Sequence, residues 1–142
     1  MGDRGEEMIL EVIAAPYFAT NCWIFAPTKN SECFIVDPGM ANPNLVSEIR
    51  SVINKFNLKP IAVLVTHGHL DHTFSITPLA DGYDIPAYIH SEDRRFISDP
   101  AGIHGEQFIS QLQGMQFSEP KKVEELKNGS KLELLGMSLT AI

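Results

Sequence analysis

Ile61-Ala62-Val63-Leu64-Val65-Thr66-His67-Gly68-His69-Leu70-Asp71-His72 is the stretch whose chemistry decides the fold. Its first five residues are an uninterrupted apolar run rich in β-branched side chains, the pattern of a strand buried on both faces. Three of the chain's five histidines and one aspartate follow within six residues, as His-x-His-x-Asp-His. Neutral imidazole and carboxylate are the donors that zinc, iron and manganese take, so the cluster reads as a metal site. Its position supports this, because ligands in α/β sheets gather at the carboxyl ends of strands. On an extended chain His67 and His69 project to one side, and Gly68 puts no side chain between them. Four donors from six residues cannot close on one tetrahedral ion without strain, so two adjacent metal positions are expected. Asp71 also suits a helix N-terminus as a cap, a role compatible with ligation. It is the candidate catalytic carboxylate as well as a ligand.

Outward from this stretch the chain reads as alternating strands and helices. Met8 to Ala15, Asn21 to Ala26 and Cys33 to Val36 read as strands, with Pro27-Thr28-Lys29-Asn30-Ser31 as a hairpin turn. Asn42 followed by Pro43 reads as the start of a helix. Leu45, Ile49, Val52, Ile53 and Phe56 then recur at helical spacing and give one apolar stripe for the sheet. A short helix is expected over Phe74 to Ala80, and a strand entered through Pro86 over Ile85 to His90. His90 reads as a structural residue rather than a ligand. Ser91 is expected to cap a helix running through Ile97. Residues 91–120 are the least regular part and read as an insertion, either a lid at the mouth of the site or a surface excursion. Lys121 to Lys127 reads as a charged, solvated stretch, Asn128-Gly129 as a turn, and Lys131 to Leu135 and Met137 to Ile142 as two strands flanking Gly136.

Composition sets milder bounds. With 142 residues, 44% hydrophobic, the chain can bury one core but not two. A net charge of −7 argues against nucleic acid as the main partner. No apolar run is long enough to span a bilayer, and the polar Met1-Gly2-Asp3-Arg4-Gly5-Glu6-Glu7 reads as a disordered tail rather than a secretory signal. Cytoplasmic residence is the expectation. Cys22 and Cys33 lie in apolar runs and read as buried, reduced thiols.

Thr66-His67-Gly68-His69-Leu70-Asp71-His72 after a buried strand resembles the signature of the metallo-β-lactamase fold, in its glyoxalase II-like hydrolase branch. Thr20-Asn21-Cys22-Trp23-Ile24 is similar to that family's early Asn-Cys-hydrophobic strand, and Ile35-Val36-Asp37-Pro38-Gly39 to its strand-ending Asp-Pro-Gly turn. The resemblance covers residues 8–90 well and the rest loosely. It implies an α/β fold, an αββα sandwich of four layers in two similar halves, with residues 1–142 as a single domain representing its N-terminal portion. It also implies that His67 and His69 bind a first metal while Asp71 and His72 bind a second. Asp37 would orient those ligands from behind, besides serving its turn. The remaining ligands, a later His for each metal and an Asp bridging both, have no counterpart after His104. The chain therefore reads as incomplete at its C-terminus, or as completed by a second chain.

The implied activity is hydrolysis by a metal-activated hydroxide, on one or two zinc ions, with iron or manganese also suited to the donors. The expected substrate is a small acyl thioester of the hydroxyacylglutathione type or a related ester. The chain lacks the Gly-x-Ser-x-Gly elbow of serine hydrolases. No nucleic acid or membrane is expected as a partner, and homo-oligomerisation is left open. Two other readings share the motif: an iron-dependent persulfide dioxygenase, and an inactive metal-binding fragment.

Overall fold

Asn21–Ala26 and Glu32–Val36 alternate so that one set of side chains can be wholly apolar, and they pair as an antiparallel hairpin with Ile24 opposite Ile35. The computed structural model describes residues 8–14, 21–39, 44–66, 74–99 and 118–140. Within them six strands form one sheet in the order β1 (Ile9–Ala14), β2 (Asn21–Ala26), β3 (Glu32–Val36), β4 (Lys59–Leu64), β5 (Ala87–His90) and β6 (Val123–Leu126). The first three run antiparallel, and β3 to β6 run parallel. Parallel neighbours need crossovers. Helix α1 (Val46–Phe56) links β3 to β4, and α2 (Ile76–Tyr83) links β4 to β5. A single turn, α3 (Arg95–Ser98), follows β5.

Both long helices lie on one face of the sheet. Leu45, Ile49 and Ile53 of the expected stripe, with Ile76, Leu79 and Ala80 of α2, pack on Cys22, Ile24, Cys33, Ile35, Val63, Ala87 and Ile89. Val52 and Phe56 close the margin of this core, half-buried. Arg50 of α1 lies over the Tyr83 ring, 5.4 Å from its centroid, and joins the two helices at the surface. Asn57 ends α1 in the left-handed conformation that asparagine tolerates, with the Leu58 amide donating back to the Ile53 carbonyl at 2.9 Å. The opposite face carries the β7 (Lys131–Leu134) and β8 (Met137–Thr140) hairpin. Leu135 and Gly136 both adopt positive φ at its turn, the geometry that matches strand twist in two-residue hairpins.

Several expectations shift. Helix α1 begins at Val46 rather than just after Asn42, because Leu45 holds the cap position and its amide donates to the buried Ser75 hydroxyl at 2.8 Å. Asn42 and Pro43 lie outside the described residues. The second helix starts at Ile76, not Phe74, for a related reason: Ser75 is tied to the Pro38 carbonyl. Ser91 does not cap a helix. Its amide donates to the Leu126 carbonyl at 2.7 Å, so residues 91–94 turn before α3 begins.

The largest correction is Lys121 to Lys127, which is not a plain solvated stretch but contains β6. Val123 and Leu126 are half-buried at the sheet margin, and Glu125 is paired with Arg94 at 2.7 Å. A short, charged strand is what a sheet edge tolerates. The first strand is Ile9–Ala14, and the last two end at Leu134 and Thr140. Residues 1–7, the middle of the 91–120 insertion and its reading as a lid lie outside the described residues. Among the described residues no helix is long and apolar enough to cross a membrane.

Candidate metal site

The frame for the His-rich motif is built by the turn that ends β3. Asp37 sits at φ 55°, a left-handed geometry that Asp accepts more readily than most residues. Its amide donates to the Leu64 carbonyl at 2.9 Å, carrying the β3–β4 pairing one step past the strand end. Its carboxylate is buried and faces Thr66. Asp37 Oδ1 accepts the Thr66 amide at 2.8 Å and Oδ2 accepts the Thr66 hydroxyl at 2.6 Å. Hydrogen bonds to an ionised acceptor are the stronger kind. The backbone leaving β4 is thereby held at the residue before His67. Asp37 is thereby bonded to the chain at the residue immediately before the motif.

The other side of the motif is fastened to the same turn. The Ser75 amide donates to the Pro38 carbonyl at 3.0 Å, and the Ser75 hydroxyl donates to the Gly39 carbonyl at 2.6 Å. Both Pro38 and Gly39 are buried. Thus residues 37–39 grip the chain before the motif through Thr66 and after it through Ser75. His67, His69, Asp71 and His72 themselves lie outside the described residues. Their assignment as ligands rests on donor chemistry: three imidazoles and a carboxylate in one short segment suit zinc, iron or manganese. Among the described residues no group of three or more His, Cys, Asp or Glu is gathered where a metal could be held.

His90 takes the structural part expected of it. Its Nδ1 accepts the Glu92 amide at 3.1 Å, which makes Nε2 the donor toward Asn128 Oδ1, also 3.1 Å away. It lies at the end of β5 beside Thr66 and lines a cavity of about 270 Å³ with Leu64, Tyr88, Leu132 and Leu139. That cavity separates the helix-free face of the sheet from the β7–β8 hairpin. The two cysteines are free and buried. Burial pushes the Cys22 thiol up to about 12, with the Asp37 charge adding to the rise, and burial alone does the same for Cys33. Neither offers a thiolate nucleophile at neutral pH. At the edge of the sheet, hydrogen bonds from Arg94 hold the Glu119 carboxyl below its ordinary range.

Sequence reasoning missed Ser75. The only signal was a hydroxyl inside the apolar-rich run from Phe74 to Ala80, and a serine there is equally consistent with an ordinary helix start.

A buried parallel strand, an Asp-Pro-Gly turn bonded to the chain at its carboxyl end, and a His-x-His-x-Asp-His sequence directly after it are features of a metallo-beta-lactamase fold. The chain belongs to the metallo-beta-lactamase superfamily, whose family model matches residues 15–142. An uncharacterized protein of Mycobacterium tuberculosis (strain ATCC 25618 / H37Rv) is 35% identical over 133 residues, which cover 93% of this chain and 58% of the relative. A hydroxyacylglutathione hydrolase of Blochmanniella pennsylvanica is 35% identical over 71 residues, 49% of this chain and 26% of the enzyme. Among solved structures, the BLEG-1 B3 metallo-beta-lactamase superposes with a TM-score of 0.72 at 25% identity, covering 93% of this chain and 59% of that one. A di-iron-bound form of TTHA1623 superposes with a TM-score of 0.62 at 22% identity, over 86% and 56% of the two chains. This chain thus spans a little over half the length of the foremost of these relatives. The superfamily is one of metal-dependent hydrolases on a mixed α/β fold, and the layered sheet described above is that fold.

Proposed function

We propose that the protein is a metal-dependent hydrolase of thioesterase type, acting on a small acyl thioester of the hydroxyacylglutathione class or a related ester. The observation that carries this is the location of the His-x-His-x-Asp-His segment. It leaves a buried strand whose end is gripped by a buried carboxylate, Asp37, through two hydrogen bonds. The likeness to a hydroxyacylglutathione hydrolase, 35% over 71 residues, supports the choice of substrate class.

In this reading His67 and His69 hold a first metal, and Asp71 and His72 a second, with Asp71 the carboxylate at the reacting centre. Zinc is the first choice, in one or two positions, with iron or manganese suited to the same donors. A bound metal would supply a water acidified toward neutrality. Everything else falls to the chain. Asp37 fixes Thr66 and with it the direction in which the backbone enters the motif. Asp37 is itself only 5% exposed, so its bonds to Thr66 are little weakened by water. The acidic balance of the chain, −7, fits a small-molecule substrate in the cytoplasm better than nucleic acid or an anionic membrane. A homo-oligomer is compatible with this reading and is not needed by it.

The test is metal content by elemental analysis together with release of thiol from S-lactoylglutathione, on the full-length protein. His67→Ala or His69→Ala is expected to abolish hydrolysis and lower the metal content. Turnover retained with an empty site would overturn the proposal. One iron per chain, oxygen consumption with glutathione persulfide and no thiol release would replace it with a persulfide dioxygenase.

A further inference from the structure

We propose that Ser75 is a positioning residue for the metal-binding segment, clamping its C-terminal side as Asp37 clamps its N-terminal side. The inference rests on the metal-site reading above and extends it to a residue outside the motif. Ser75 is fully buried, and it is one of two buried polar or charged side chains among the described residues, the other being Asp37.

A serine just before a helix ordinarily turns its hydroxyl onto that helix's own free amides. Here it makes no such cap bond. Its hydroxyl instead donates to the Gly39 carbonyl at 2.6 Å and accepts the Leu45 amide at 2.8 Å. Its amide donates to Pro38. Three segments meet on this one side chain: the turn after β3, the start of α1 and the start of α2. The hydroxyl is used as donor and acceptor at once, which alanine cannot imitate.

The geometry gives this a consequence for the metal. Thr66 and Ser75 bracket the segment that holds His67, His69, Asp71 and His72, and both are bonded to the same three-residue turn. Both ends of the segment are therefore tied to one turn, residues 37–39. A segment whose ends are fixed keeps its donors closer to binding geometry and loses less freedom when a metal arrives. Ser75→Ala keeps the amide bond to Pro38 but loses both hydroxyl bonds, so that end is held more loosely than the other.

The test uses the full-length protein in its metal-free form, titrated with zinc in competition with a chelator and with cobalt followed by its visible absorption. Wild type, Ser75→Ala, Ser75→Thr and Ile89→Val are compared, the last as a core change on β5 that touches none of the Ser75 hydrogen bonds. Ser75→Ala is expected to weaken zinc roughly tenfold to a hundredfold, the range found when groups that orient ligands are removed. It should also alter the cobalt spectrum. Ile89→Val should stay within about twofold, because it removes only packing. Ser75→Thr, which restores the hydroxyl, should recover most of the affinity.

Zinc affinity and cobalt spectrum unchanged in Ser75→Ala would overturn the inference and leave the metal-site reading intact. So would a loss no larger than that of Ile89→Val, or a folded Ser75→Thr that recovers nothing. A wild-type protein that binds neither metal would overturn both together.

Discussion

The two faces of the main sheet are almost equally apolar and very differently covered. On one, Ile24, Ile35, Val63, Ala87 and Ile89 lie beneath α1 and α2 with no measurable exposure. On the other, Leu10 and Val12 remain 51% exposed and Trp23 39%, while Val36, Leu64 and Tyr88 are half-covered by the β7–β8 hairpin. Cross-strand register joins the second set into a continuous band, with Leu10 opposite Phe25, Val12 opposite Trp23, and Trp23 opposite Val36. The helix face is thus a finished core. The hairpin face has the composition of an interior, as expected in an αββα sandwich, where a second sheet opposes the first.

The sharpest way to break this comparison is to truncate one residue on each face. Ile35→Ala removes a fully buried side chain from the middle of the helix face. It should cost about 2–5 kcal/mol, the usual range for an aliphatic side chain deleted from a packed core. The midpoint of urea unfolding would report it. An effect below about 1 kcal/mol would mean that the helices pack loosely and that the two faces differ less than they look.

Asp37 stands where the sheet ends and the candidate site begins, and its effect is expected to be the second largest. Asp37→Ala strips Thr66 of both bonds to its carboxylate. A hydrogen bond to a charged group contributes about 1.5–3 kcal/mol, less where the donor residue is exposed as Thr66 is, so a loss of about 1–3 kcal/mol is expected. The same variant should weaken zinc by roughly tenfold or more, since groups behind metal ligands carry that much. Loss of stability with undiminished metal affinity would confine Asp37 to the fold and separate the turn from the site.

How much of this was legible beforehand follows from what each feature depends on. The stripe of Leu45, Ile49 and Ile53, and the apolar runs of β2, β3 and β4, depend on local periodicity, and they fold as their spacing foretells. Asp-Pro-Gly could be read as a turn because the turn is local too. The strand Val123–Leu126 could not. Val-Glu-Glu-Leu has no alternation, and it becomes a strand only because β5 offers an unpaired edge and Arg94 takes up Glu125. Ser75 and the late start of α1 escaped for the same reason. The partners of Ser75 are Gly39 and Leu45, 36 and 30 residues away in sequence. The metal donors were read from their chemistry alone, and they lie outside the described residues.

The smallest expected effect falls on the hairpin face, and it is the one that sharpens the comparison most. Val12 belongs to β1, an edge strand with one neighbour, and half its surface already meets solvent. Val12→Thr keeps the β-branched shape that a strand favours and changes only the polarity of the outer surface. For a surface position without special contacts, the change in stability should stay within about 0.5 kcal/mol. If that holds for the isolated chain, the outer band contributes little to its folding, and the stability of residues 8–140 comes from the helix face alone. A loss of 1–2 kcal/mol that grows with protein concentration would show Val12 buried in an assembly, because only coverage by another copy makes stability depend on concentration. A loss of the same size at every concentration would instead place the covering within the chain itself. The outer band would then be a second core, and the two faces would differ in what covers them rather than in whether they are covered.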